Sequence, residues 1–121
     1  MDPNELSQRT KSYALNIIKF FQNLPKTEES RILGKQLLRS ATSVAANYRA
    51  ARRSRSKNEL IAKISIVVEE SDEALFWLEL IHYSGIADPN SIALLKKEAE
   101  ELLFIFSASR KTAKNNIEEK A

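Results

Sequence analysis

The sequence has no cysteine, a single histidine, and only two glycines and three prolines in 121 residues. Without cysteine there is no disulfide framework, thiol nucleophile or thiolate metal site. Two glycines cannot form a phosphate-cradling loop, and one histidine, His82, cannot supply the two Glu-x-x-His motifs of a bundle di-iron centre. We therefore expect no catalytic residue, no metal site and no cofactor, and we predict that the protein is not an enzyme.

Long apolar runs are also missing. No segment reaches the roughly 18 consecutive apolar residues that a membrane-spanning helix needs. No cationic start followed by an apolar stretch marks a secretory signal at the N-terminus. Together with the lack of cysteine, this composition fits a reducing compartment. We expect a soluble, cytoplasmic protein that has no membrane partner.

What the sequence does contain is helical periodicity with clear punctuation. Few turn-forming residues in a chain with 43% hydrophobic residues favour a small number of long elements. Four residues that commonly cap helix N-termini divide the chain: Asp2, Thr27, Ser56 and Asp88. Pro25 ends the first helical segment, and Gly85 suits the position just after the third. The pattern predicts helices over about residues 3–24, 27–53, 56–84 and 89–117.

Short connections between long helices predict antiparallel packing. The expected fold is all-α, a single domain over residues 1–121 that forms one up-down-up-down antiparallel four-helix bundle. In that topology one end collects the start of helix 1, the corner between helices 2 and 3, and the end of helix 4. Residues 1–13, 49–63 and 107–121 hold 12 cations and 5 acids, a net charge of +7 in a protein that totals +3. The bundle is therefore predicted to be electrically polar along its axis.

The strongest functional signal is the basic corner between helices 2 and 3. From Arg31 to Lys63 the chain carries nine cations and one acid, Glu59. Six of these cations are our candidate nucleic-acid-binding residues: Arg49, Arg52, Arg53, Arg55, Lys57 and Lys63. The helix dipole favours cations at the end of helix 2, but it disfavours Arg55 and Lys57 at the start of helix 3. A bound polyanion would offset that repulsion. A protein partner and a merely solvated helix end are the alternatives.

The predicted core face of helix 3 holds Leu60, Ile61, Ile64, Val68, Ser71, Leu75 and Leu78. The helix carries a second apolar stripe in addition to this face. Ile66, Trp77 and Leu80 point nearly opposite the main stripe, with Glu73 among them. Surplus apolar surface commonly marks a partner, so these four residues are predicted to form an oligomer interface. A wide core face is the alternative. Glu70 and Glu73 are also expected to make a polar contact with a neighbouring helix, and Trp77→Glu is expected to dissociate the oligomer while the bundle stays helical.

The segment from Gln36 to Asn47 matches the recurring pattern RSAxSxxxN at five positions: Arg39, Ser40, Ala41, Ser43 and Asn47. On these residues, and on a matching third helix, the chain resembles the bacterial four-helix bundle proteins named after an intervening sequence in 23S ribosomal RNA genes. They are also called the S23 ribosomal protein family. The resemblance implies a bundle that assembles as a homopentamer. Many members carry an acid shortly after the asparagine, whereas this chain has Ala50 and Ala51 followed by arginines.

A related branch, the accessory proteins of diversity-generating retroelements, resembles this fold and works as a basic pentamer with nucleic acid and reverse transcriptase. This resemblance favours nucleic-acid binding here. The corner has no aromatic side chain for base stacking, so binding is expected to follow the backbone of RNA or DNA and not its base sequence. The predicted function is a non-catalytic homo-oligomer that binds nucleic acid through its basic corner. A protein-interaction scaffold is the alternative.

Overall fold

A computed structural model describes the backbone of residues 1–120 and the side chains of residues 1–116. The chain forms four helices in this range: α1 (Pro3–Gln22), α2 (Glu28–Ala51), α3 (Lys57–Tyr83) and α4 (Pro89–Lys120). Each helix packs against the next one along the chain, and α1 also contacts α4, which closes the bundle. Residues 1–120 contain no strand. The predicted all-α, up-down-up-down four-helix bundle is confirmed.

The helix ends are set by capping residues. Asp2 Oδ1 accepts a hydrogen bond from the Glu5 backbone N–H at 2.9 Å, which satisfies one of the unpaired donors at the start of α1. The hydroxyls of Thr27 and Ser56 serve α2 and α3 in the same way. Gly85 adopts a φ of 77° after α3, a left-handed conformation that glycine reaches without strain. These caps position the α2–α3 corner, because it lies between the end of one helix and the Ser56 cap of the next.

The core takes one stripe of side chains from each helix. On α1, α2 and α4 the buried apolar residues follow the stripes predicted from helical periodicity. They include Leu6, Tyr13, Ile17, Leu37, Ala41, Val44, Tyr48, Ile92, Ala99, Leu102 and Phe106. Tyr48 and Phe106 pack ring against ring, with centroids 5.2 Å apart, so the diagonal pair α2 and α4 also meets through side chains in the core.

The buried stripe on α3 is rotated from the predicted one. Apart from Val68, which is also buried, its buried positions alternate in steps of three and four residues: Ile64, Val67, Ser71, Ala74, Leu78 and Ile81. This is the heptad spacing of helices that pack at a shallow angle. Val67, Ala74 and Ile81 are buried although they lie outside the predicted core face of this helix. The rotation turns Trp77 toward the core, where its side chain packs, and leaves about half of Phe76 exposed.

An arginine on α1 joins that helix to α4. The Arg9 guanidinium donates to both carboxylate oxygens of Glu98, at 2.8 and 2.5 Å, and it also contacts Glu101. These hydrogen bonds, chiefly those to Glu98, raise the pKa of Arg9 above its ordinary value. The pairing sets the register of the two helices. Because α4 is 12 residues longer than α1, with 32 residues against 20, its later turns continue past the start of α1 and pack beside α3.

A second arginine joins α2 to α3. Arg39 Nη1 donates to Glu70 at 3.3 Å, and Arg39 Nη2 donates to Glu73 at 2.5 Å. The expected polar contact of both acids with a neighbouring helix is therefore confirmed. Glu70 is the more buried of the two, with 16% of its side chain exposed. Glu73 is thus engaged within the subunit at one edge of the predicted interface stripe.

Candidate nucleic-acid interface

Three chain segments meet at the end of the bundle that carries the α2–α3 corner, as the topology predicts. The Arg52 Nη1 donates a hydrogen bond to Ser7 Oγ at 2.9 Å and so ties the end of α2 to the start of α1. On the other side, Lys57 on α3 lies across a shallow surface hollow from Ser109 on α4. We call this end the basic pole. The side chains of residues 117–121, which contribute to its predicted charge, lie outside the described side chains.

A groove of about 690 Å³ runs between α1 and α2 at the basic pole. The small α2 side chains Thr42, Ala45 and Ala46, which we call its floor, line the groove beside the buried Thr10 and Tyr48 and leave space that larger residues would fill. Four cations also line the groove: Lys11 from α1, and Arg49, Arg52 and Arg53 from α2. We refer to this feature as the α1–α2 groove.

A second cavity of about 660 Å³ lies beneath the corner itself. Arg52, Arg55 and Lys57 line it together with Ser54 and Tyr48, and we call it the corner cavity. Arg52 and Tyr48 line both cavities, so the two are neighbours with a shared wall. Tyr48 is a core residue with 7% of its surface exposed, and this burial raises the pKa of its hydroxyl above the ordinary value.

The six predicted binding residues do not form one uniform patch. Arg49 and Arg53 border the α1–α2 groove, Arg55 and Lys57 border the corner cavity, and Arg52 borders both. Lys63 borders neither cavity, because it lies more than one turn along α3 from the corner. Its side chain is partly buried. Lys11 was counted in the charge of this end but was not predicted as a binding residue. The sequence indicates a role for Lys11 at the groove only through its position one helical turn after Ser7, on the side of α1 that faces α2.

The cations of this end differ in how far neighbouring acids neutralise them. The side chains of Arg49 and Arg53 are exposed and make no ion pair or hydrogen bond with another described side chain. Arg55 lies 3.7 Å from Glu59, one helical turn away, so an acid of α3 compensates part of the unfavourable dipole at this position. Arg9, which the predicted charge of +7 includes, is neutralised by two acids of α4. The accessible positive charge is therefore concentrated at the α1–α2 groove.

The predicted oligomer stripe on α3 is partly exposed. Ile66 and Leu80 are each 37% exposed, and both point away from the core as expected. Trp77 is partly buried: its side chain packs against the core, and its Nε1 is buried without a hydrogen-bond partner among the described atoms. The ring of Phe76 meets the Trp77 ring edge-on at 5.1 Å and takes the outward position instead. Because the buried heptad is rotated, the exposed apolar face of α3 consists of Ile66, Phe76 and Leu80.

At the opposite end of the bundle, His82 belongs to a contact between α3 and α4. Its Nδ1 lies 3.1 Å from Lys96 Nζ, and its ring stacks on Tyr83 at a centroid distance of 4.8 Å. Lys96 also lies over the Tyr83 ring at 4.8 Å. The described residues contain no group of three or more His, Cys, Asp or Glu side chains that could hold a metal ion. Over the same part of the chain, no helix has the length and apolarity needed to span a membrane.

Comparison with known proteins agrees with this geometry. Residues 3–108 match the family model described as 23S rRNA-intervening sequence protein. The chain belongs to this family. No curated protein matches it. Among solved structures, a protein with unknown function from the S23 ribosomal protein family of Bacteroides thetaiotaomicron VPI-5482 superposes with a TM-score of 0.84 at 25% sequence identity. The superposition covers 92% of this chain and 99% of that one.

In this 23S rRNA-intervening sequence protein, the residues of the RSAxSxxxN pattern make contacts within the bundle. Arg39 pairs with acids of α3, and Ser40 and Ala41 are fully buried. Asn47 Nδ2 donates to the Ser43 backbone oxygen at 2.9 Å and to its Oγ at 2.8 Å, one turn earlier on α2. The pattern therefore stabilises α2 and its packing, and the cations of the α1–α2 groove lie outside it.

Proposed function

We propose that this protein is a non-catalytic, cytoplasmic homo-oligomer that binds the phosphate backbone of RNA or DNA at the basic pole. One observation carries the proposal. Lys11, Arg49, Arg52 and Arg53 line a single groove, and none of these four forms an ion pair with a described acid. By contrast, Arg9 and Arg39 each form ion pairs with two carboxylates of a neighbouring helix.

Phosphate is the ligand that this arrangement suits best. Arginine presents a planar set of donors that matches phosphate oxygens, and an exposed side chain can reach the ligand without first breaking an ion pair. Binding of polyanions by such cations releases counterions, so the affinity falls steeply as salt is added. Four phosphate contacts on a single strand predict a slope of about −2.8 for log affinity against log salt. Between about 50 and 200 mM salt the affinity should then fall about 50-fold.

Fluorescence anisotropy with a labelled random-sequence oligonucleotide of about 16 nucleotides tests this proposal. The double variant Arg49→Glu with Arg53→Glu should weaken binding at least about tenfold at low salt and reduce the slope by about 1.4. The matched control, Lys26→Glu with Lys35→Glu, makes the same change of charge at exposed positions near the other end of the bundle. It should retain most of the affinity.

Two outcomes contradict the proposal. Wild-type protein that does not bind the oligonucleotide at about 50 mM salt has no such function. Equal loss of affinity in both double variants would mean that overall charge, and not the groove, holds the nucleic acid. Circular dichroism of each variant confirms that the helices remain, since all four positions are exposed and lie outside the core.

For the oligomer, the exposed apolar face of α3 is the proposed contact between subunits. Ile66→Glu with Leu80→Glu tests it better than Trp77→Glu, because Trp77 packs against the core and its replacement would also destabilise the bundle. Light scattering should show a lower mass for the double variant and an unchanged mass for Leu94→Glu, a control at an exposed apolar residue of α4. The reverse result would move the interface to α4.

The alternative function is a protein-interaction scaffold without nucleic-acid binding. The observation that favours it is exposed apolar surface on α4, where Phe104 and Leu94 are about three-quarters exposed. Side chains of this size seldom stay in water without a partner when they form a patch. A scaffold would bind no oligonucleotide at low salt. The same anisotropy measurement therefore separates the two functions.

A further inference from the structure

We infer that the α1–α2 groove holds an unpaired base, so that the protein prefers single-stranded over double-stranded nucleic acid. This inference rests on the proposed function and names the form of nucleic acid that the basic pole recognises. It depends on a difference between the floor of the groove and its rim.

The floor of the groove is small and largely apolar. Ala45 and Ala46 present methyl groups, and the Thr42 hydroxyl is occupied because it donates to the Leu38 backbone oxygen at 2.7 Å. A site that contacted only phosphates would need no such floor, since phosphate oxygens are bound by donors. The groove volume of about 690 Å³ lies within the range of roughly 300 to 1,000 Å³ typical of pockets for small organic ligands.

The rim of the groove is cationic on both sides. Lys11 stands on the α1 side, and Arg49, Arg52 and Arg53 stand on the α2 side. A nucleotide matches this division, because its base is flat and largely apolar on its faces while its phosphate is anionic. Guanidinium planes can stack on bases as well as bind phosphates. Gln8, exposed on α1 at the groove, adds an amide that can both donate and accept hydrogen bonds at a base edge.

A duplex cannot use the floor in this way. Its bases are paired and stacked inside the helix, so it offers phosphates to the rim and nothing to Ala45 or Ala46. Tyr48 is too deeply buried to act as a stacking platform. The contacts to the base must therefore come from the alanine methyl groups and from the guanidinium faces of the rim.

Anisotropy competition tests the inference with four unlabelled competitors of equal length. They are single-stranded RNA, single-stranded DNA of the same sequence, an abasic DNA strand, and the blunt DNA duplex. Both single strands should compete about tenfold better than the abasic strand and the duplex, the effect of one stacked base. A difference between the RNA and DNA strands would show whether the sugar is also recognised. Equal competition by all four would overturn the inference and leave the proposed function intact, whereas no binding by any of them would overturn the proposed function itself.

A groove-filling variant locates the effect. Ala46→Leu adds apolar volume at an exposed position on the floor without changing charge, and leucine is a good helix former. It should lower the affinity for single strands to that for the duplex and so abolish the preference. Ala93→Leu, at an exposed α4 position away from the groove, is the matched control and should keep the preference. If Ala46→Leu changed the oligomer mass in light scattering, the groove would be a contact between copies of the chain, and the inference would be wrong.

Discussion

Arg9 and Arg53 are both arginines near the same end of the bundle, but their surroundings differ. Arg9 lies between α1 and α4, where Glu98 and Glu101 take up its charge, and its side chain is 22% exposed. Arg53 lies at the end of α2, is exposed, and pairs with no described acid. The first position stabilises the fold. The second leaves a positive charge available to a ligand.

The difference follows from where each residue lies on its helix. A residue that lies well inside a helix, as Arg9 does almost two turns after the start of α1, has a neighbouring antiparallel helix beside it, and acids on that helix come within reach. A residue at a corner has water beyond it, and acids are scarce there: the chain from Arg31 to Lys63 contains only Glu59. Counting charges along the sequence treats both positions alike. The accessible charge of the basic pole is therefore smaller than its formal charge.

The largest expected effect comes from removing the ion pairs of Arg9 with Glu98 and Glu101. Arg9→Met keeps most of the alkyl packing but leaves two carboxylates without their partner. We expect the free energy of unfolding to fall by about 2 kcal/mol, because the lost hydrogen bonds join charged groups at a partly buried site. Urea denaturation measures this value.

Arg53→Met is the matched control for that variant. At an exposed position without a partner, the same substitution should change the free energy of unfolding by no more than about 0.5 kcal/mol. Equal destabilisation by the two variants would show that the Arg9 ion pairs contribute no more to stability than a solvated side chain does. The distinction between paired and accessible arginines would then have no energetic basis.

Local patterns were enough to predict the four helices, their caps and most of the core. The partner of Arg9 could not be predicted, because Glu98 is 89 residues away and the register of α1 on α4 decides which acids it meets. The rotated face of α3 was predictable in principle. Val67, Ala74 and Ile81 repeat every seven residues, and this heptad signal was masked by the many other apolar residues of that helix. For that reason the packing of Trp77 against the core was not predicted.

A smaller effect is expected at Tyr13, a buried residue of α1 that is close enough to Glu98 for the charge of that acid to act on it. Its hydroxyl is buried without an acceptor among the described atoms, and burial, with a lesser effect of the Glu98 charge, raises its pKa well above the ordinary value. Tyr13→Phe removes the unpaired hydroxyl and should leave the free energy of unfolding unchanged or raise it by about 1 kcal/mol.

The pH dependence of Tyr13→Phe has a definite sign. In the folded wild type Tyr13 stays protonated above pH 10, whereas the unfolded chain loses that proton near its ordinary pKa of about 10. The contribution of Tyr13 to stability is therefore complete below pH 10 and is lost as the pH rises beyond it. Urea midpoints at alkaline pH should fall less steeply for the phenylalanine variant. Parallel curves would show that the hydroxyl is hydrated in the folded protein.

The smallest effect is expected at Asp2, an exposed acid that caps the start of α1 near the basic pole. The Glu5 N–H holds the pKa of this carboxyl below its usual value, so its contribution to stability is present above about pH 3.8 and is lost as the pH falls through the lower folded value. Asp2→Asn retains a capping oxygen but not the charge. Thermal midpoints should be slightly lower than wild type near pH 7 and should converge with it at acidic pH.

Nucleic-acid affinity should rise in the same variant. In addition to burial, Asp2 and Arg52 shift the pKa of Tyr48 in opposite directions, so both charges lie near that residue, and removal of the acid leaves the positive charge of Arg52 less compensated. A variant that lost both stability and affinity would show that the start of α1 shapes the binding surface through its fold and not through its charge.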